Sequence, residues 1–389
     1  MKICWISDFD VTGSGYLNIT VPLCAGLTHN GHDVKVVGLQ YHGEEHPFEF
    51  SVIPAQTLQE SLAVAQNLWG LWKFDVMIVA LDIPIQNSFL SSMNNRPFPY
   101  IGIMPIEADP LCVTWAMSLM QMNRVLIISE FGKNEARKLS VDASHIPIGI
   151  DINAWKMPTP EERKKLREAQ NIDDDTFVIL QVADNQERKN LSAAMEIVSG
   201  FSQEKKVKYM LVTRENSQVG WRLRDYAQVM KINSITSIYE RGIQFATLWS
   251  LYAVSDLFLL TSKAEGLGMP ILEAMACGVP VAGTDCTAIH ELLDEGRGIL
   301  LPTIHKYVDP FGNGHRYFID VPKSIDIINY YYENRDELKL MSEISRKYVE
   351  GRTWEKTVLH LEKALEYIRN EQTQKQNQQT NPPSINVAG

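Results

Sequence analysis

Two glutamates, Glu265 and Glu273, stand eight residues apart in KAEGLGMPILEAMACGVPV, with Gly266, Gly268 and Pro270 between them. Two carboxylates so placed suit the binding of hydroxyls, each charge-assisted hydrogen bond being worth about 1.5–3 kcal/mol. The run DLFLLTS, residues 256–262, predicts a buried strand ending at Ser262. KAEGLG then predicts a strand-to-helix turn. Pro270 fits the first helical position, where its missing N–H costs nothing, and Gly278 fits the helix end. Glu265 is therefore expected on the loop, and Glu273 in the first turn of a helix from Pro270 to about Ala276. Gly266 and Gly268 leave backbone N–H groups bare at the positive end of that helix, a setting for an anionic ligand. The loop glutamate would bond a hydroxylated group beside phosphates, and the helix glutamate would accept from a ribose diol.

Positioning such a pair requires a parallel sheet, and the chain carries the pattern for two. Candidate strands begin at Lys2, His32, Asp75, Tyr100, Arg124 and His145. Helical spacing lies between them in YLNITVPLCAGLTHNG, LQESLAVAQNLWGLW and LCVTWAMSLMQMN. A break with two prolines and a charge run, DINAWKMPTPEERKKLREAQNIDDD, predicts a link and a polar helix. The strand–helix rhythm restarts with strands from Phe177, Lys208, Ser234, Asp256, Val279 and Arg297. The fold class expected is α/β, with two Rossmann-like doubly wound domains facing across a cleft that holds the ligand. The domains are expected at 1–152 and 153–352, with a helix at 353–370 returning to the first and a disordered polar tail at 371–389.

Composition narrows the partners. Net charge is −10, and residues 1–150 hold eight basic against fourteen acidic side chains, so no face suits nucleic acid. No Lys/Arg-rich amphipathic helix or spanning run is present, and no strong membrane association is expected. The five scattered cysteines lack CxxC spacing, which argues against a zinc site or disulfide framework and for a reducing, cytoplasmic setting.

The stretch EGLGMPILEAMACGVPVAGTD strongly resembles the Glu-x(7)-Glu motif of retaining GT-B glycosyltransferases, above all the family-four, or group 1, enzymes. ISEFGKNEAR, PIGID and RTWEKTV look like further landmarks of that family, so the resemblance covers residues 1 to about 370. It implies transfer of a sugar from a nucleotide diphosphate sugar, such as a UDP- or GDP-sugar, to an unknown hydroxyl acceptor. Glu273 would bind the ribose and Glu265 the donor sugar, with the backbone of Gly266, Leu267 and Gly268 approaching sugar and diphosphate. In ADNQERKN, Arg188 and Lys189 would hold the diphosphate. Many relatives place an arginine several residues before the lysine, where this chain has Asp184 and Asn185, so Arg188 would substitute. Gly13 and Gly15 of DVTGSGYLN resemble the glycine-rich loop that closes on the diphosphate from the opposite domain.

The remaining candidates carry competing readings. GSGYLN begins like a dinucleotide fingerprint, but Asn18 stands where the third glycine belongs. Asp8 and Asp10 spell DxD, either a cap and turn or a lining of the acceptor side. Asp109, in GIMPIEADPL beside Glu107, is a candidate acceptor or sugar contact, or else the cap of a helix with Pro110 in its first position. Thr213, Tyr239 and Arg241 fall at strand ends where the base would lie, and Glu291 reads as an ordinary helix residue. No cofactor and no metal are expected, because Arg188, Lys189 and helix ends can carry the phosphate charge. A nucleotide-sugar epimerase, a glycan phosphorylase and a non-catalytic nucleotide-sugar-binding protein are the alternatives.

Overall fold

The computed structural model describes residues 1–380, with side chains to residue 374. A seven-stranded parallel sheet contains β1 (Lys2–Asp8), β2 (Asp33–Leu39), β3 (Ser51–Ala55), β4 (Val76–Ala80), β5 (Tyr100–Met104), β6 (Arg124–Ile127) and β7 (Ala143–His145). Its order is β3-β2-β1-β4-β5-β6-β7. A second parallel sheet contains β8 (Phe177–Val182), β9 (Val207–Thr213), β10 (Thr236–Glu240), β11 (Leu257–Leu260), β12 (Val281–Thr284) and β13 (Ile299–Leu301), ordered β10-β9-β8-β11-β12-β13. Helices cover both faces, which is why β4 and β5 are buried along their whole length. In each sheet the order reverses beside the first strand, opening a crevice at the carboxyl ends of β1 and β4 and of β8 and β11.

Departures from the expected elements have physical causes. β3 carries Pro54 and sits at the sheet edge, the place where a strand tolerates a missing N–H. HIPIGI is a strand only at its first residue. Beyond it the chain crosses to the second domain, and Ile150 N–H donates to Arg352 C=O at 2.9 Å. Helices Ile83–Ser92 and Glu130–Lys138 complete the first layer. The helix expected around LCVTWAM spans Val113–Leu119 with Cys112 at its N-cap, so Pro110 is not its first residue and Asp109 does not cap it.

An antiparallel hairpin, β14 (Thr303–Val308) and β15 (His315–Ile319), follows β13 and belongs to neither sheet. The final helix, Trp354–Thr380, packs on the first domain. The Glu362 carboxylate accepts from His32 Nε2 at 3.1 Å and from Asn30 Nδ2 at 2.9 Å. Its good helix formers carry it through residues 371–380, a stretch expected to be disordered tail; residues 381–389 lie outside the described residues.

Candidate active site

The two crevices face each other, and the loops at their mouths bring charged side chains from both domains together. After β8 the chain makes a short 3-10 turn, Glu187–Lys189, and Asn190 takes a left-handed conformation before helix Leu191–Phe201. After β11 the loop 261–268 leads to helix Met269–Ala276, entered through Gly268 at φ +93°. These two loops flank the switch point of the second sheet, so Arg188, Lys189 and Glu265 converge.

Glu265 is 5% exposed and accepts from Lys189 Nζ at 2.6 Å, Arg188 Nη1 at 2.9 Å and Ser262 Oγ at 2.6 Å. Burial pushes its carboxyl up, but Lys189, Arg188 and the Ser262 hydroxyl together outweigh that and hold it at about 2. Arg188 Nε also reaches Glu107 of the first domain at 3.0 Å. Burial lowers the guanidinium, and the attraction of Glu107 and Glu265 more than reverses the effect. The result is a chain of alternating charges across the domain boundary, Glu107–Arg188–Glu265–Lys189.

Glu273 lies past the first turn of its helix, contrary to expectation, because the helix begins at Met269. It is 6% exposed and accepts from Tyr252 Oη at 2.8 Å. Burial pushes this carboxyl up, the phenol offsets only part of the effect, and it settles at about 7. The two glutamates are thus brought to one crevice in opposite electrostatic settings.

The glycines divide by role. Gly13, at φ +121° with open space around it, makes a turn other residues rarely adopt, and Gly15 starts helix Gly15–His29 behind the Ser14 cap. At Gly266 a Cβ would lie 2.3 Å from Pro105 Cβ, so the missing side chain there lets the two domains approach. Leu267 is buried in the core.

Other candidates serve the domain boundary. Arg241 donates to Asp10 at 2.7 Å and Thr12 Oγ1 at 3.3 Å, tying the loop after β1 to the opposite domain. Asp8 accepts from Ser14 Oγ at 2.7 Å and shapes that loop. Glu291 is more than an ordinary helix residue: it accepts from Phe131 N–H at 2.8 Å and caps helix Glu130–Lys138 from the other domain. The Asp109 carboxylate accepts from Tyr317 Oη at 2.7 Å, and its carbonyl accepts from His315 N–H at 2.8 Å. Thr213 is 1% exposed with its hydroxyl unpartnered, and Tyr239 packs half-buried on β10. Where the family places its upstream arginine, Asp184 holds Arg214 at 2.6 Å, so a cation from the end of β9 occupies that neighbourhood. Among the described residues no group of three or more His, Cys, Asp or Glu side chains is placed to hold a metal ion.

Sequence reasoning passed over Asp82, Tyr16 and Arg316. Tyr16 Oη donates to Asp82 at 2.6 Å, and burial, the largest influence on Asp82, raises its carboxyl. Arg316, 5% exposed, is held by Asp309 at 2.7 Å and Glu107 at 3.3 Å. The signal was present in IHKYVDPFGNGHRYFI, where glycines flank an asparagine between two β-rich runs, a pattern for a hairpin.

Two Rossmann-like lobes closing on a charged crevice define the GT-B class, and solved structures share it. Sucrose-phosphate synthase from Thermosynechococcus elongatus matches with a TM-score of 0.76 at 16% identity, covering 95% of this chain and 100% of that one. Anabaena HepE, solved in complex with UDP-glucose, matches with a TM-score of 0.73 at 16% identity, covering 94% and 100%. Residues 162–306 match the model of the family described as glycosyl transferases group 1. The serotype-specific mannosyltransferase WbdA of Escherichia coli is 27% identical over 216 residues, 54% of this chain and 25% of that protein. N-acetyl-alpha-D-glucosaminyl L-malate synthase of Bacillus anthracis is 52% identical over 46 residues, 12% of each chain. The matched stretches thus span well under two thirds of these relatives' own lengths. Among the described residues no helix is long and apolar enough to cross a membrane.

Proposed function

We propose that this chain transfers a sugar from a nucleotide diphosphate sugar to a hydroxyl acceptor with retention of anomeric configuration, and that it needs no metal to do so. The observation that carries the reading is Glu265, held ionised at the domain boundary by Arg188 and Lys189. An ionised carboxylate accepts strong hydrogen bonds from sugar hydroxyls, and the two adjacent cations suit a diphosphate. Arg188, Lys189 and the N-terminus of helix Leu191–Phe201 would stabilise charge as the phosphate leaves, the kind of fixed electrostatic help that dominates many enzymes. The departing phosphate oxygen takes the acceptor's proton on the same face. Glu273 binds the ribose diol, whose hydroxyls favour its ionised form. The loop of Gly13 and Gly15 closes over the diphosphate, and Asp109 holds the closing hairpin. The match to glycosyl transferases group 1, the fold shared with a UDP-glucose complex and the mannosyltransferase relative support this reading.

A thermal-shift panel of UDP-, GDP- and ADP-hexoses tests it, with NMR of the transferred sugar's anomeric proton for any donor that binds. A bound donor at a hundred times its Kd stabilises by about 2.7 kcal/mol, and the product should keep the donor's configuration. No shift with any member, or an inverted product, contradicts the proposal.

A further inference from the structure

The hairpin β14–β15 springs from the second domain but finishes on the first. A Cβ on Gly314 would lie 2.4 Å from Ala108 Cβ, and one on Gly312 would lie 2.5 Å from Trp115, so both glycines are needed for its tip to seat. Phe311, 61% exposed at that tip, meets the Trp115 ring edge-on at 5.3 Å. Behind these rings lies a pocket whose far wall is Ile83, Pro84, Pro105 and Leu111 of the first domain.

The pocket's chemistry is lopsided. Its charged lining groups are Asp82, Glu107 and Arg316, and Arg316 already serves Glu107 and Asp309. A ligand there meets carboxylate oxygens that accept hydrogen bonds and aromatic faces that take C–H surface, with the positive charge already matched. A neutral polyhydroxylated ring meets those demands; an anion does not. Glu107 belongs both to this pocket and to the pair with Arg188, and Pro105 abuts Gly266, so the pocket opens onto the Glu265 centre.

We propose that this pocket binds the acceptor as a neutral hexopyranosyl ring, and that Phe311 and the hairpin of the donor-side domain select it. The inference deepens the transfer reading given above and rests on it. Because one wall comes from each domain, the acceptor site is complete only when the hairpin is seated.

The test is calorimetric titration of the full chain with phenyl glucoside, galactoside and mannoside, with and without saturating UDP or GDP. Phe311→Ala, at an exposed position, and Gly314→Val, which drives the tip off Ala108, are compared with wild type. A hexoside should bind wild type, both variants should weaken it at least tenfold, and nucleotide Kd should stay within about twofold. Hexoside binding unchanged in both variants overturns the proposal. So does no hexoside binding under any condition, or glucose 6-phosphate or phenyl glucuronide binding tenfold tighter than the neutral hexosides. Failure of nucleotide to bind refutes the donor reading instead, and Phe311-dependent hexoside binding would then still uphold the pocket.

Discussion

The loop 261–268 and the helix it enters, Met269–Ala276, each bury one glutamate almost completely, and they push the two carboxyls in opposite directions. Glu265 sits against two cations and a hydroxyl and is held at about 2. Glu273 sits against one phenol and rises to about 7. Burial favours the neutral carboxyl at both; one phenol offsets little of that at Glu273, whereas two cations and a hydroxyl outweigh it at Glu265. One motif thereby holds a lasting anion and a group poised to exchange a proton near neutrality in the same crevice.

The comparison breaks most visibly at Glu265→Gln. Sugar-transfer turnover should fall by about 10²–10³-fold, the loss typical for one lost electrostatic contact to the reacting group. Stability should fall by about 3 kcal/mol, because Arg188 and Lys189 lose a buried counter-charge. Steady-state rates and thermal denaturation check both, and wild-type turnover would remove Glu265 from the chemistry.

Glu273→Gln should do the reverse to stability. Glutamine keeps an acceptor for Tyr252 and has no charge to bury, so at pH 8 the variant should be more stable by up to about 3 kcal/mol. Nucleotide affinity should nevertheless drop about tenfold or more, as a charge-assisted contact to the diol is lost. Unaltered nucleotide affinity in calorimetry would contradict the ribose role.

The pH dependence sharpens the same contrast. Stability from Glu265 is in place above its ordinary 4.5 and is lost as pH falls through about 2. Stability associated with neutral Glu273 is in place below 4.5 and is lost as pH rises through about 7. Urea denaturation between pH 5 and 8 should therefore show a decline that Glu273→Gln flattens and Glu265→Gln keeps. A decline of equal slope in all three proteins would contradict the assignment.

The smallest effect concerns geometry. Gly266→Ala adds a methyl where Pro105 leaves no room and should hold the domains slightly apart. Turnover should fall about tenfold, with both glutamates titrating as in wild type. Small-angle scattering of the nucleotide-saturated variant should give a larger radius of gyration than wild type.

Much of this was legible in the sequence because it is local. The β11 run, Pro270 and Gly278 placed Glu265 on a loop and Glu273 on a helix, since strand, turn and cap signals act over a few residues. Cross-domain partners were not legible. Nothing near Glu291 in the chain names Phe131, and nothing near Glu107 names Arg188 or Arg316. Gly266 read as a glycine kept bare for a ligand, and nothing near it in the chain names Pro105, which its missing Cβ also admits. Asp109 read as an acceptor or sugar contact, or else as a helix cap; the helix start at Val113 removes the cap, and its partner Tyr317 on the distant hairpin was not legible. The opposite shifts of the two glutamates were equally hidden, because they depend on which buried groups meet in space.

The most direct test is a ¹³C NMR titration of the protein labelled at glutamate Cδ, assigned with Glu265→Gln and Glu273→Gln, with and without saturating UDP or GDP. The Glu265 signal should remain that of a carboxylate down to the acid limit of folding, while Glu273 titrates near neutrality and shifts to lower pH when nucleotide binds. Both signals titrating together near 4.5, or Glu273 indifferent to nucleotide, would contradict the account.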